Sequence, residues 1–188
     1  MGPDVHPTLG IFASESGPGD AERASIMAQA GSYLARHGAR IACLADADDV
    51  AVPLLTSARR AGGDVTLVAD DGYIAPAALE GVHIEHHATP EARLARLAAL
   101  STIYVALPGS MASAIDLYRT WARGGGGAGR KPVVFYDRNG AFRVVRGYAG
   151  DVLSNSIKNH DHYVQFADSV EDMWVKIIWL IDQKAASV

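Results

Sequence analysis

The strongest constraint on this chain is the run Thr102-Ile103-Tyr104-Val105-Ala106-Leu107, apolar or aromatic almost throughout and broken directly behind by Pro108-Gly109. A strand with one wet face alternates polar and apolar side chains. A strand without that alternation is buried on both faces, which calls for a parallel sheet with helices above and below it. The run is therefore predicted as a central strand.

The rest of the chain repeats the theme. Strand-length apolar segments occur at Leu9-Gly10-Ile11-Phe12-Ala13, Ile41-Ala42-Cys43-Leu44, Val65-Thr66-Leu67-Val68, Val82-His83-Ile84, Pro132-Val133-Val134-Phe135-Tyr136 and Tyr163-Val164-Gln165-Phe166. Helical patterns separate them. One starts near Asp20, carries Ile26, Met27, Ala30, Tyr33 and Leu34 as its stripe, and ends at Gly38. Others have Pro53 in a first turn, open at Thr89-Pro90-Glu91, run from Ser110 to Ala122, or reach about Ile157. The last opens with Ser169-Val170-Glu171-Asp172, a capping-box pattern. This alternation predicts one α/β domain over residues 1–188. Its architecture is a Rossmann-like, doubly wound parallel sheet of about six or seven strands with helices on both faces.

Composition narrows the function classes. With 188 residues, a net charge of −4 and no Lys/Arg run, the chain lacks the footprint of a nucleic-acid binder, although a local basic pocket would still suit one phosphate. The lone Cys43 makes no internal disulfide and fits a reducing compartment. Residues 1–7 have neither the basic nor the apolar part of a secretion signal, and the apolar stretch Val175 to Ile181 is too short to cross a bilayer. A cytoplasmic protein without a membrane role is expected.

Open α/β sheets bind ligands beyond the carboxyl ends of their strands, where helix N-termini present unpaired N–H groups. Two turns suit this. The first runs from Ser14 through Ser16 and Gly17 to Gly19, and the second is Pro108-Gly109-Ser110-Met111-Ala112-Ser113. Glycine allows close backbone approach, and the serines add hydroxyl donors to an anion. Either turn is equally well a plain connection.

At the second turn the sequence resembles the LONELY GUY family, often labelled lysine decarboxylase-like, whose signature is P-G-G-x-G-T-x-x-E after a buried strand. Pro108 and Gly109 match, Ser110 and Ala112 replace glycines, Ser113 replaces threonine and Asp116 replaces glutamate. Arg93 stands at the spacing of an arginine on the helix before that strand, and Lys131-Pro132 matches a pair that opens the next one. The resemblance implies a homodimer with a nucleotide-sized pocket. In active members it implies hydrolysis of the N-glycosidic bond of a nucleoside 5′-monophosphate, with no metal or cofactor. Arg93 and Asp116 would then be the catalytic pair, with Ser14, Ser16, Gly17 and the residues from Pro108 to Ser113 holding the phosphate. Two segments depart from the family: Ala45-Asp46-Ala47-Asp48-Asp49-Val50-Ala51-Val52 replaces a glycine-rich nucleotide loop, and Ala13-Ser14-Glu15-Ser16 replaces C-G-S-S. Carboxylates in that loop repel a phosphate. The leading expectation is thus a binder of a nucleotide or other phosphate-bearing molecule with altered or lost hydrolysis. The alternatives are an active phosphoribohydrolase, or a carrier or regulatory subunit similar to the molybdenum cofactor carriers.

Plainer readings stand beside these. Arg93 is equally a solvated neighbour of Arg96, and Asp116 a surface partner of Arg119 or Arg123. Asp46, Asp48 and Asp49 read as a loop capping the next helix, with a cation site as the rarer option. His83, His86 and His87 beside a strand end, and His160-Asp161-His162, lack zinc-protease spacing. Cys43 reads as core. No G-x-S-x-G elbow is present, and Lys131, Lys158, Lys176 and Lys184 lie in no Schiff-base motif.

Overall fold

The computed structural model describes residues 6–15, 20–46, 49–123, 131–156 and 158–186. Ser16, Gly17 and Asp48, all singled out in the sequence, lie outside the described residues, as does the glycine tract from Gly124 to Gly127.

The apolar runs become strands β1 (Thr8–Phe12), β2 (Arg40–Ala45), β3 (Val65–Asp70), β4 (His83–His87), β5 (Ile103–Ala106), β6 (Val133–Tyr136) and β7 (Val164–Ala167). They form one sheet of seven strands in the order β4-β3-β2-β1-β5-β6-β7, and every neighbouring pair is parallel. Helices α1 (Asp20–Arg36), α2 (Val52–Arg60), α3 (Pro90–Leu100), α4 (Met111–Arg123) and α5 (Arg143–Tyr148) make the connections. A π-helical turn at Ala149–Leu153 leads from α5 into the short α6 (Ser154–Ser156), and α7 (Val170–Ala186) follows β7. No helix among the described residues is long and apolar enough to cross a membrane.

The two faces of the sheet have separate cores, as a doubly wound fold requires. Leu9 and Ile11 of β1, Ile103 and Val105 of β5, and Val134 and Tyr136 of β6 pack with Met27, Leu34, Leu54, Met173 and Ile177. Phe12, Tyr104, Ala106, Val133 and Phe135 point the other way, against Leu97, Leu117, Ala149 and Leu153. All four residues of β5 are buried, so the absence of polar alternation was the correct signal for a central strand.

Helix boundaries follow their caps. The Thr89 hydroxyl accepts from the Ala92 amide at 3.1 Å, and the Ser169 hydroxyl from the Asp172 amide at 3.0 Å. Gly38 ends the first helical segment with φ at +82°, the left-handed region that glycine enters without steric cost. β4 departs from the sequence reading. His86 and His87 lie inside this edge strand, which runs further than Val82-His83-Ile84, because His86 pairs with Ala69 and His87 with Asp70 in register. Glu85 takes a two-pronged bond from Arg96 of α3 at 2.5 and 2.9 Å, with His83 and His87 on either side. No His, Cys, Asp or Glu group among the described residues is placed to hold a metal ion.

α1 and α2 meet through Gly31, where an added Cβ would lie 2.2 Å from the Leu54 carbonyl oxygen and 2.3 Å from the Ser57 hydroxyl. Backbone cannot yield there as a flexible side chain does. Gly31→Ala is expected to cost about 1–3 kcal/mol by overpacking. A fall of roughly 2–10 °C in Tm in a thermal melt would register it, and an unchanged Tm would refute the close helix contact.

Candidate functional site

β1 and β5 lie side by side where the strand order reverses, and their ladder continues past the strands in a 3.0 Å bond from the Leu107 amide to the Phe12 carbonyl. The two following loops touch. A Cβ on Gly109 would come within 2.5 Å of the Ser113 hydroxyl and 3.2 Å of the Ser14 amide nitrogen, so glycine lets the turn after β5 lie close against the chain leaving β1 without displacing that hydroxyl or crowding the Ser14 backbone. Ser110 then caps α4: its hydroxyl accepts from the Ser113 amide at 3.2 Å, and the Ser113 hydroxyl donates back to the Ser110 carbonyl at 2.9 Å.

A third element reaches this contact. The Asp49 carboxylate accepts from the fully buried Ser14 hydroxyl at 2.7 and 2.9 Å and from the Ser110 hydroxyl at 3.3 Å. Its own amide donates to an Asp46 carboxylate oxygen at 2.9 Å, which folds the loop after β2 into place. The expectation that these aspartates cap α2 is therefore overturned. That helix begins at Ala51 without a side-chain cap. Asp46 and Asp49 bind each other, and Asp49 also binds across the crevice.

Arg93 and Asp116 do come together. Arg93 reaches over the end of β2, donating from Nη1 to the Ala45 carbonyl at 3.1 Å, so it is more than a solvated neighbour of Arg96. Its Nε is buried without a hydrogen-bond partner. Burial pushes the Asp116 carboxyl up; Arg93 and then Arg119 pull it down, while Asp46 and Asp49 push it up, leaving it raised. Tyr73 closes the group. Its hydroxyl is buried without a partner, and burial, reinforced by the nearby Asp46 charge, raises its proton affinity. The result is an acidic niche in which three carboxylates lie near the Arg93 and Arg119 guanidinium groups.

On the other side of the same turn lies a cavity of about 740 Å³. Phe12, Ala106 and Leu107 line it from the strand ends, and Gly109, Ser110, Met111 and Ser113 from the turn and the start of α4. Pro108 lines it too, whereas the exposed Ala112 does not. Arg23 of α1 and Arg138, behind β6, bring positive charge, and Glu22 is tied to Asn139 by a 3.4 Å bond. Neither Asp116 nor Arg93 lines this cavity. The predicted site residues thus fall into two compartments, with the turn as the partition.

Sequence reasoning missed Glu22, Arg23 and the wall after β6. That wall is set by Asp137, only 5% exposed, which accepts from the Phe142 amide at 2.6 Å and from Arg146 Nε at 2.7 Å. Asn139 at φ +65° and Gly140 at φ +71° make the reversal between them. Asp137-Arg138-Asn139-Gly140 has the composition of a turn, and an aspartate directly after a buried strand was the available clue to an anchor. Cys43 is core as expected; burial raises its thiol to about 12, so it stays protonated and inert.

A raised carboxyl in the folded state binds its proton more tightly than in the unfolded chain. The stability tied to Asp116 is therefore full below its ordinary value of 3.8 and is lost as pH rises through the raised value. Asp116→Asn is expected to melt higher than the unsubstituted chain at neutral pH, with the gap closing in acid below pH 3.8. Thermal melts across pH would expose an error in this charge balance as a lower neutral Tm for the variant.

No protein-family model matches the chain, and no curated protein matches it in sequence. Solved structures do match in fold. TM1055, a structural-genomics target, has a TM-score of 0.68 at 20% identity, covering 92% of this chain and 98% of its own. The molybdenum cofactor carrier protein of Chlamydomonas reinhardtii has a TM-score of 0.67 at 14% identity, covering 95% and 99%. The molybdenum cofactor binding protein of the phototrophic bacterium Rippkaea orientalis has a TM-score of 0.64 at 17% identity, covering 95% and 97%. At such identities the likeness establishes a shared Rossmann-like fold over nearly the whole chain.

Proposed function

We propose that this protein binds a nucleotide-sized, phosphate-bearing small molecule in the cavity beside the β1–β5 crevice, as a binding or carrier protein without glycosidic hydrolysis. The observation that carries this reading is the cavity of about 740 Å³ with Arg23 and Arg138 on its wall and α4 beginning at its edge. Its volume lies within the range of small-molecule sites, about 300–1,000 Å³. Guanidinium groups and a helix N-terminus favour a phosphate. The apolar strand ends suit a ring system. Hydrolysis of an N-glycosidic bond needs a carboxylate against the reacting carbon or its water. Asp116 does not line the cavity, and its side chain is a methylene shorter than glutamate.

The fold shared with molybdenum cofactor carriers supports that cofactor as a candidate cargo. The hydrolase reading retains one point in its favour, the proximity of Arg93 to Asp116.

A panel of nucleoside 5′-monophosphates, scored by calorimetry and by release of free base, separates the readings. Binding without release is expected. Arg138→Ala and Arg23→Ala should each weaken binding, because losing a charge-assisted bond costs about 1.5–3 kcal/mol, or roughly 10–100-fold in Kd. Base release that disappears in Asp116→Asn would replace this reading with the hydrolase.

We also propose that the chain forms a homodimer through the apolar ridge of Met111, Ile115 and Tyr118 on α4 with Val144 and Tyr148 on α5. All five side chains are exposed. The first three recur at helical spacing on one stripe, Met111 and Val144 both border the cavity, and exposed apolar side chains gathered in this way mark an association face. Light scattering should give twice the chain mass for the unsubstituted protein and a single mass for Tyr118→Glu. A monomer without the substitution would remove the dimer.

A further inference from the structure

The point where strand order reverses is the place in an open α/β sheet that draws negative groups, because strand ends and helix N-termini present their donors there. In this chain that position already holds an anion, supplied by the chain itself. The Asp49 carboxylate sits between the ends of β1 and β5, bonded to the Ser14 hydroxyl at 2.7 and 2.9 Å and to the Ser110 hydroxyl at 3.3 Å. Ser110 takes the Ser113 amide at 3.2 Å on its other side, so an amide-to-hydroxyl-to-carboxylate relay links Asp49 to the positive end of α4. Gly109 provides the closeness that puts both hydroxyls on one acceptor.

The occupant is held firmly. Asp49 is anchored by its amide bond to Asp46, and the β2 end behind it by Arg93 on the Ala45 carbonyl. Ser14 is fully buried, and a hydroxyl so placed requires a partner, which the carboxylate supplies. A phosphate brought to the same donors would meet a carboxylate in its place, with Asp46 and Asp116 adding like charge nearby.

We propose that Asp49 is a specificity-determining residue whose carboxylate fills the anion position between β1 and β5, excludes phosphate from it, and so confines phosphate-bearing ligands to the cavity on the α5 side. Only the last clause rests on the proposed binding function. The exclusion itself follows from the serine contacts and stands without it.

Inorganic phosphate is the probe, titrated into the full chain while the backbone amides of Ser14, Ser110 and Ser113 are followed by NMR. The unsubstituted chain is expected to show no saturable shift at Ser14, which does not line the cavity and so reports on this position alone, whereas Ser110 and Ser113 border both. Asp49→Gly opens the position and should bind phosphate there at least tenfold more tightly. Asp49→Asn keeps the shape and an acceptor for the two serines, so it preserves the fold; it should gain less, by severalfold, through loss of charge alone. The proposal is overturned if the unsubstituted chain takes phosphate at Ser14. It also falls if neither substitution improves binding there by more than twofold, Asp49→Asn deciding alone where Asp49→Gly does not fold. Failure of the cavity reading looks different: nucleotides would then leave the unsubstituted chain untouched, while the Asp49 variants would still gain phosphate at the serines.

Discussion

The pairing of β1 with β5 is the constraint on which the rest of this structure depends. The chain builds outward from β1 through β2 and β3 to β4, and then has to return to the free side of β1, since only there can the apolar β5 be buried on both faces. Once β5 lies parallel to β1, with the Leu107 amide on the Phe12 carbonyl, the loops behind the two strands must lead to helices on opposite faces of the sheet. A crevice opens between diverging loops of this kind in any doubly wound sheet. Its contents here are particular to this sequence, because Gly109 lets the two loops touch before they part.

That contact turns one crevice into two compartments of opposite character. On the α5 side, Arg23 and Arg138 face a cavity floored by apolar strand ends. On the α3 side, Asp46, Asp49 and Asp116 crowd around Arg93. Like charges gathered in a partly buried niche need donors, and the niche recruits two serine hydroxyls and one backbone amide for them, with the Arg93 and Arg119 charges opposing Asp116. Asp46 and Asp49 are thus engaged with the chain's own donors.

Where the physics is local, the sequence was a reliable guide. The buried run of β5, the Thr89 and Ser169 caps and the glycine stop at Gly38 each depend on residues within a few positions of one another, and each stands as read. The candidate site was legible only in part. The turn from Pro108 to Ser113 was visible because proline, glycine and serine after a buried strand have few other uses. The bond from Ser14 to Asp49 joins residues 35 positions apart, and the bond from Ser110 to Asp49 joins residues 61 apart. No periodicity encodes such a pair, and an aspartate cluster before a helix has the same composition whether it caps that helix or crosses a crevice. Arg138 was hidden for a related reason. Its position comes from Asp137, whose buried carboxylate folds the loop back onto β6 through Phe142 and Arg146.

Arg93 shows why spacing alone is weak evidence for chemistry. Its guanidinium ties α3 to the last carbonyl of β2 and lies near Asp116, to which it supplies the leading opposing charge. The carboxylates of the niche would meet greater mutual repulsion without it, and the loop carrying Asp49 would lose the anchor behind it. An arginine at this position thus has a sufficient structural reason in this chain before any substrate is considered. The same holds for Ser110, which caps α4 and binds Asp49 with one hydroxyl. Residues suited to holding a phosphate are here engaged in holding a carboxylate, and the cavity on the α5 side is left as the space in which a ligand can be accommodated.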